Sequence, residues 1–220
     1  MIFDIHIITD RLPEVLAGFG TTLWSVAASC LLAMVIGLFV SIGLTAKSAI
    51  FRYPVRLYVE LFRTTPFLIQ LFLLYYGGPA IGLYLEPIEA GILGLSLYGS
   101  AYYAEIFRAG FASVPEGQIE VAQMMGFTLP QTIWRIKIPQ MMVLIVPGLV
   151  NTTTILGKET AVFSIVTVPE LTFVLTGIGS ETFAYAETLL VLSLAYLTLA
   201  EITSRLGAAA EKRLSKYMDR

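Results

Sequence analysis

Long apolar runs separated by short polar stretches dominate this chain. Between Glu14 and Lys47 there is no charged residue at all. The hydrocarbon core of a bilayer needs about 20 apolar residues per helical span. The chain offers five runs of that kind, at about 16–45, 57–78, 88–110, 140–158 and 183–204. The first is longer than a membrane requires, which places its start at the interface or outside it. Composition points the same way, with 56% hydrophobic residues, 14% charged and a mean hydropathy of +0.78. The expected fold class is an all-α integral membrane protein of five transmembrane helices, a single domain over residues 1–220.

Charge sets the expected orientation. Lys47, Arg52, Arg56 and Arg63 follow the first run, Arg108, Arg135 and Lys137 separate the third from the fourth, and Arg205, Lys212, Arg213, Lys216 and Arg220 follow the fifth. The opposite side has Arg11 with Glu86, Glu89, Glu181 and Glu187. The positive-inside rule then puts the N-terminus outside, and the loop between spans three and four in the cytoplasm with the C-terminus. Asp4, Asp10 and Glu14 without a basic leader argue against a cleaved signal peptide.

That cytoplasmic loop, residues 111–139, is too patterned to be a mere connector. Ser113-Val114-Pro115-Glu116 and Thr128-Leu129-Pro130-Gln131 share one form, a hydroxyl residue, then proline two positions on, then Glu or Gln. Ser113 and Thr128 are each expected to cap a helix, with Glu116 and Gln131 closing capping boxes. Gly126 stands where a left-handed residue ends the first helix. The expectation is helix, tight turn, helix, with Ile119, Ala122, Met125, Phe127 and Leu129 as the apolar face of a plug. A helix lying on the membrane surface is the plainer alternative. The capping form recurs at Thr167-Val168-Pro169-Glu170, predicting a short helix that ends near Gly177 or Gly179. It reads either as interfacial packing or as a gate or docking element.

Polar residues inside the apolar runs are the candidates for a transport pathway. Gln70 lies three to four residues after Pro66, which removes a backbone hydrogen bond to residue 62 and is expected to kink span two. Gln70 serves either as helix glue or as a ligand for a polar substrate. Asn151 and the three threonines to Thr154 form a polar patch in span four. Lys158 and Glu159 near its outer end are either pathway groups or structural and gating groups; neighbours on a helix point about 100° apart. Glu60 with Arg63, and Glu105 with Arg108, are spaced to pair at helix ends. Tyr102 and Tyr103 are expected to pack across a partner subunit.

Other chemistry is excluded. A single cysteine, Cys30, leaves no disulfide or thiolate metal site, and a single histidine, His6, argues against a histidine-based active site; no metal ligands are expected. A net charge of −2 argues against a nucleic-acid partner. Gly157-Lys158-Glu159-Thr160 fails as a phosphate loop, because residue 152 is threonine and glutamate follows the lysine. The chain therefore cannot bind ATP by that route.

The order Glu120-Val121-Ala122, Gly126, Ile136 and Pro139 resembles the EAA motif of ABC-importer membrane subunits, departing from it at Val121. Further blocks, at Phe62-Arg63-Thr64-Thr65-Pro66, Gln70-Leu71-Phe72, Lys158-Glu159-Thr160 and Val168-Pro169-Glu170-Leu171, resemble the polar-amino-acid permeases of histidine/glutamine type. The resemblance implies that Glu116, Glu120, Ala122, Gly126, Phe127, Leu129 and Pro139 belong to coupling helices that dock on an ATPase. It implies two ATP-binding subunits holding ATP and Mg, a second permease copy or paralogue, and an extracytoplasmic solute-binding protein. It also implies a bacterial inner membrane, with lipid around the chain and no cofactor bound by it. An ion-coupled secondary transporter or channel is the other class that intramembrane charge fits, although such carriers generally have more spans and internal repeats.

Overall fold

The computed structural model describes residues 6–218, so Asp4 and Arg220 of the charge pattern lie outside the described residues. Every regular element among them is a helix. In chain order these are α1 (His6–Thr9), α2 (Leu12–Leu44), α3 (Ala49–Thr64), α4 (Phe67–Gly77), α5 (Pro87–Ala112) and α6 (Glu116–Met124). There follow α7 (Leu129–Thr132), α8 (Ile138–Glu159), α9 (Leu171–Thr182) and α10 (Tyr185–Met218). A π turn, Ile133–Lys137, joins α7 to α8, and a 3₁₀ turn, Thr160–Val166, continues α8.

The centre of the molecule is α5, packed along α2. Small residues allow the two backbones to approach closely, as packing in lipid favours. A Cβ on Gly37 of α2 would lie 2.9 Å from the Ser100 carbonyl of α5. Ser96 Oγ donates across to the Ser29 carbonyl at 3.3 Å. The contacts advance together along both chains, Ser29 beside Ile92 and Gly37 beside Ser100, so α2 and α5 run parallel. Helix α8 runs antiparallel to α5, with Leu156 against Gly99 and Ile145 against Gly110. Helix α10 in turn runs antiparallel to α8, with Leu199 against Gly157 and Gly207 against Val150.

Among the described residues, three helical stretches are long and apolar enough to cross a membrane, Leu12–Leu44, Leu129–Val166 and Tyr185–Leu214. The expected third span, α5, is not among them. It is lined by buried Gly94, Ser96, Gly99, Ser100 and Ala101, because neighbouring helices rather than lipid cover most of it. The expected second span is also altered. Instead of a kinked helix, α3 and α4 are separate helices bent by 108° at Thr65-Pro66, and they reach spanning length only together. Thr65 and Pro66 are both extended, since proline disfavours helical geometry in the residue before it.

The three look-alike capping sequences differ in outcome. Thr128 and Gln131 form the expected box, the Thr128 N–H donating to Gln131 Oε1 at 2.9 Å. Ser113 does not cap α6. It ends α5, its hydroxyl donating to the Gly110 carbonyl at 2.7 Å, and Pro115 stands at the N-cap. Thr167 is left-handed at φ 66°, closing the 3₁₀ turn, and Glu170 is the N-cap of α9 instead. Helix α9 passes through Gly177 and Gly179 and ends at Phe183 with φ 58°. A capping box that the sequence did not announce, Glu86 with Glu89, starts α5.

Candidate functional site

The hairpin of α6 and α7 is assembled by backbone chemistry at its tip. Gly126 has φ +81°, open to glycine at no steric cost. Around it, the Phe127 N–H donates to the Ala122 carbonyl at 3.0 Å and the Gly126 N–H to Gln123 at 2.9 Å. These are the two bonds of a Schellman motif, which satisfies carbonyls at the end of α6. Two residues later the Thr128 box opens α7. Gln140 Nε2 donates to Gln118 Oε1 at 2.6 Å, tying α6 to the start of α8.

The expected apolar face is partly rearranged. Ala122 is buried, and Ile119 and Phe127 are half-buried, so these hold the hairpin together. The exposed apolar residues are Val121, Met124, Met125 and Leu129, with Met124 at 85% exposure, and Trp134 beyond them. Glu116 and Glu120 are exposed on α6. The second limb, α7, does not end at Thr132. It passes through the π turn into α8, where Pro139 occupies the first turn. A widened turn just ahead of Pro139 eases the clash of its ring with the preceding carbonyls.

Along α8 the pathway candidates separate. Asn151, Thr154 and Lys158 share one stripe at helical spacing, Asn151 and Lys158 exposed and Thr154 half-buried. Asn151 and Thr154 line a groove of about 460 Å³ against α10, together with Glu201, Ser204 and Glu211. Thr152 is buried, and Thr153 meets the Tyr103 hydroxyl at 2.8 Å, so the polar patch is divided around the helix. Glu159 is half-buried on a different side from Lys158. Tyr103 is fully buried within this chain rather than offered to a partner, while Tyr102 is half-buried.

Gln70 stands apart from the α8 residues, at the α3–α4 break. Its Nε2 donates to the Phe62 carbonyl at 3.0 Å, the Thr65 carbonyl at 3.0 Å and Thr65 Oγ1 at 2.7 Å. Phe62 is the residue whose carbonyl Pro66 cannot serve, so the side chain supplies the donor that proline lacks. Glu105 pairs with Arg108 at 2.7 Å as expected. Glu60 pairs with Arg56 at 2.9 Å instead of Arg63, whose guanidinium lies 5.4 Å from the centre of the Tyr102 ring.

One buried centre goes beyond the sequence reading. Glu170, 0% exposed, accepts from the Phe173 N–H at 2.8 Å, Tyr196 Oη at 3.1 Å and Thr22 Oγ1 at 3.4 Å. It joins α2, α9 and α10 through one carboxylate. Burial pushes its carboxyl above the ordinary carboxylate range, and the backbone N–H donors and Tyr196 pull it partly back. The only signal in the sequence was its place in a capping pattern, which said nothing of its partners far along the chain.

Residues 33–216 match the family described as binding-protein-dependent transport system inner membrane component. The probable amino-acid ABC transporter permease protein YckA of Bacillus subtilis (strain 168) is 34% identical over 217 residues, 99% of this chain and 96% of that protein. The nopaline transport system permease protein NocM of Agrobacterium fabrum (strain C58) is 33% identical, covering 98% of this chain and 93% of its own. A crystallised amino acid ABC transporter with histidines contains a chain that superposes with a TM-score of 0.88 at 30% identity, covering 97% of this chain and 100% of that one. With the family match extending over most of the chain and the helical architecture in agreement, this protein belongs to the inner membrane components of binding-protein-dependent transport systems.

Proposed function

We propose that the chain is the permease subunit of an ATP-driven importer for polar amino acids or close derivatives such as opines. The observation that carries this reading is mechanical. A hairpin locked at Gly126 and Thr128 continues without a break into α8, the helix that bears Asn151, Thr154 and Lys158. Displacement of the hairpin is thereby transmitted to the polar stripe. The relatives named above, amino-acid and nopaline permeases, support the substrate class.

The topology in this reading has five crossings with the N-terminus outside. Because α2 and α5 run parallel, residues 45–86 must recross the membrane between them, and α3 with α4 do so as one broken span. The ends carrying Arg108, Arg135 and Arg205 then share the cytoplasmic side. Residues 111–139 face two ATPase subunits, which bind ATP and Mg. A second permease, identical or paralogous, completes the pathway along the α8 stripe, and a solute-binding protein delivers substrate at the α9 end. Glu116, Glu120, Ala122, Gly126, Phe127, Leu129 and Pro139 couple. Asn151, Thr154, Lys158 and Glu159 contact or gate the solute, and Gln70 steadies the broken span. ATP-driven closure of the ATPase pair biases inward-open and outward-open states through the hairpin. A family defined by dependence on a binding protein favours this reading over an ion-coupled carrier.

The test is reconstitution of the complete importer with Gly126→Pro, which cannot adopt φ +81°. The expected outcome is loss of binding-protein-stimulated ATP hydrolysis and of uptake, with the subunits still assembled. Stimulation that persists at the parental level overturns the coupling role of the hairpin.

A further inference from the structure

A strongly charged cavity is lined by residues of neither the hairpin nor the α8 stripe. It occupies about 690 Å³ between α3, α5 and the end of α2. Four guanidinium groups line it, Arg52, Arg56, Arg63 and Arg108, against two carboxylates, Glu60 and Glu105. The carboxylates are already engaged, by Arg56 at 2.9 Å and Arg108 at 2.7 Å. Arg52 makes no ion pair among the described residues, and Arg63 has only the Tyr102 ring. Two positive charges therefore face this space without an anion.

The lining is built by helical register. Residues 52, 56, 60 and 63 recur at three- and four-residue spacing and form one face of α3. Leu44 and Val59 supply apolar surface beside them. On its other face α3 exposes Ile50, Tyr53, Leu57 and Leu61. A second cavity, of about 660 Å³, is lined by Tyr53, Pro54 and Leu57 and shares Arg56 and Glu60 with the first. A cationic basin thus adjoins an apolar groove across a common wall, the shape that an anionic amphiphile would fill.

We propose that this pair of cavities binds an anionic phospholipid, its headgroup in the basin that Arg52 and Arg63 line and an acyl chain along Tyr53 and Leu57. Basic pockets between membrane helices on the cytoplasmic side select anionic headgroups, each nearby Arg contributing about fivefold in affinity. The adjoining groove distinguishes a lipid from free phosphate, which would have no use for it. The inference rests on the cytoplasmic orientation proposed above. Its effect would be to pin α3, and with it the bend at Pro66, to the inner leaflet.

The experiment is native mass spectrometry of the full chain released from mixed micelles containing equal phosphatidylglycerol and phosphatidylcholine of matched acyl chains. Phosphatidylglycerol is expected to be retained selectively. The double variant R52Q/R63Q should weaken that retention by roughly 20- to 30-fold, the product of two such contributions. Lys47→Gln, exposed at the same end but outside the cavity, should leave it unchanged. Both arginines are exposed and lack carboxylate partners, so the double variant should melt like the parent. Equal retention of the two lipids, or a double variant that behaves like Lys47→Gln, overturns the proposal. Displacement of the lipid by millimolar inorganic phosphate alone assigns the site to soluble phosphate and overturns the lipid reading. Because lipid retention is read on the isolated chain, it is separable from any failure of ATPase coupling or uptake.

Discussion

The two ends of this molecule are finished in opposite ways. At the end carrying α9, polar groups find their partners within the chain. Glu170 gathers Thr22, Phe173 and Tyr196, Arg11 pairs with Glu181 at 2.7 Å, and Ile8, Val15, Leu171, Leu175 and Ile178 form a small core of their own. At the end carrying α6, Val121, Met124, Met125 and Leu129 stay exposed, and Arg52 and Arg63 lack carboxylate partners among the described residues. The first end is completed by folding. The second is shaped by folding, and in the proposed reading an ATPase covers it. Residues that look equally polar or equally apolar in sequence are thus paired within the chain at one end and left without carboxylate or core partners at the other.

Substitutions at the two ends should therefore separate stability from assembly. The largest stability effect is expected at Glu170. Glu170→Ala removes the α9 cap and strands buried donors, costing roughly 2–4 kcal/mol. A thermal melt of the purified chain in detergent reads it, and a change below the noise of the melt would mean that the closed end is not held by this carboxylate. The same centre predicts a pH dependence. With its folded pKa raised, the folded chain holds the proton longer than the unfolded chain does. Stability from this group is thus fully present below the ordinary carboxylate pKa and is lost as pH rises through the elevated value. Glu170→Gln should flatten that slope.

At the α3–α4 break a smaller loss is expected. Gln70→Leu leaves the Phe62 and Thr65 carbonyls without their donor, costing about 1–2 kcal/mol. Melting checks this, and unchanged stability would show that the bend is held by packing rather than by the amide. At the open end the stability change should be smallest of all. Met124→Ser with Leu129→Ser alters exposed side chains, for which surface substitutions typically stay within about 0.5 kcal/mol. Yet co-purification of the ATPase should fall sharply. A variant that melts early while keeping its ATPase would reverse the contrast drawn between the two ends.

The local signals in the sequence proved reliable where they concerned one residue and its near neighbours. Gly126 ends α6 in the left-handed conformation, Thr128 and Gln131 make their box, and Glu105 meets Arg108. They failed where the same letters had competing partners. Ser113 turned back to finish α5, and Arg63 found an aromatic ring instead of Glu60. Neither choice can be made from spacing, because Ser113 has a competing acceptor three residues back and Tyr102 is brought to Arg63 only by packing.

What the sequence determined by itself is the class of molecule. Runs too apolar for water, cationic residues gathered at one set of loops, and a glycine placed for a helix end follow from transfer free energy, charge and backbone sterics, which act locally. Tertiary structure decided the rest. It made α5 central despite modest apolarity, separated α3 from α4 at Thr65-Pro66, divided the α8 polar patch between two sides, and buried Glu170 among three helices. Those outcomes depend on which residues distant in sequence are brought within a few ångströms. A buried polar group must find its partners wherever the packing brings them.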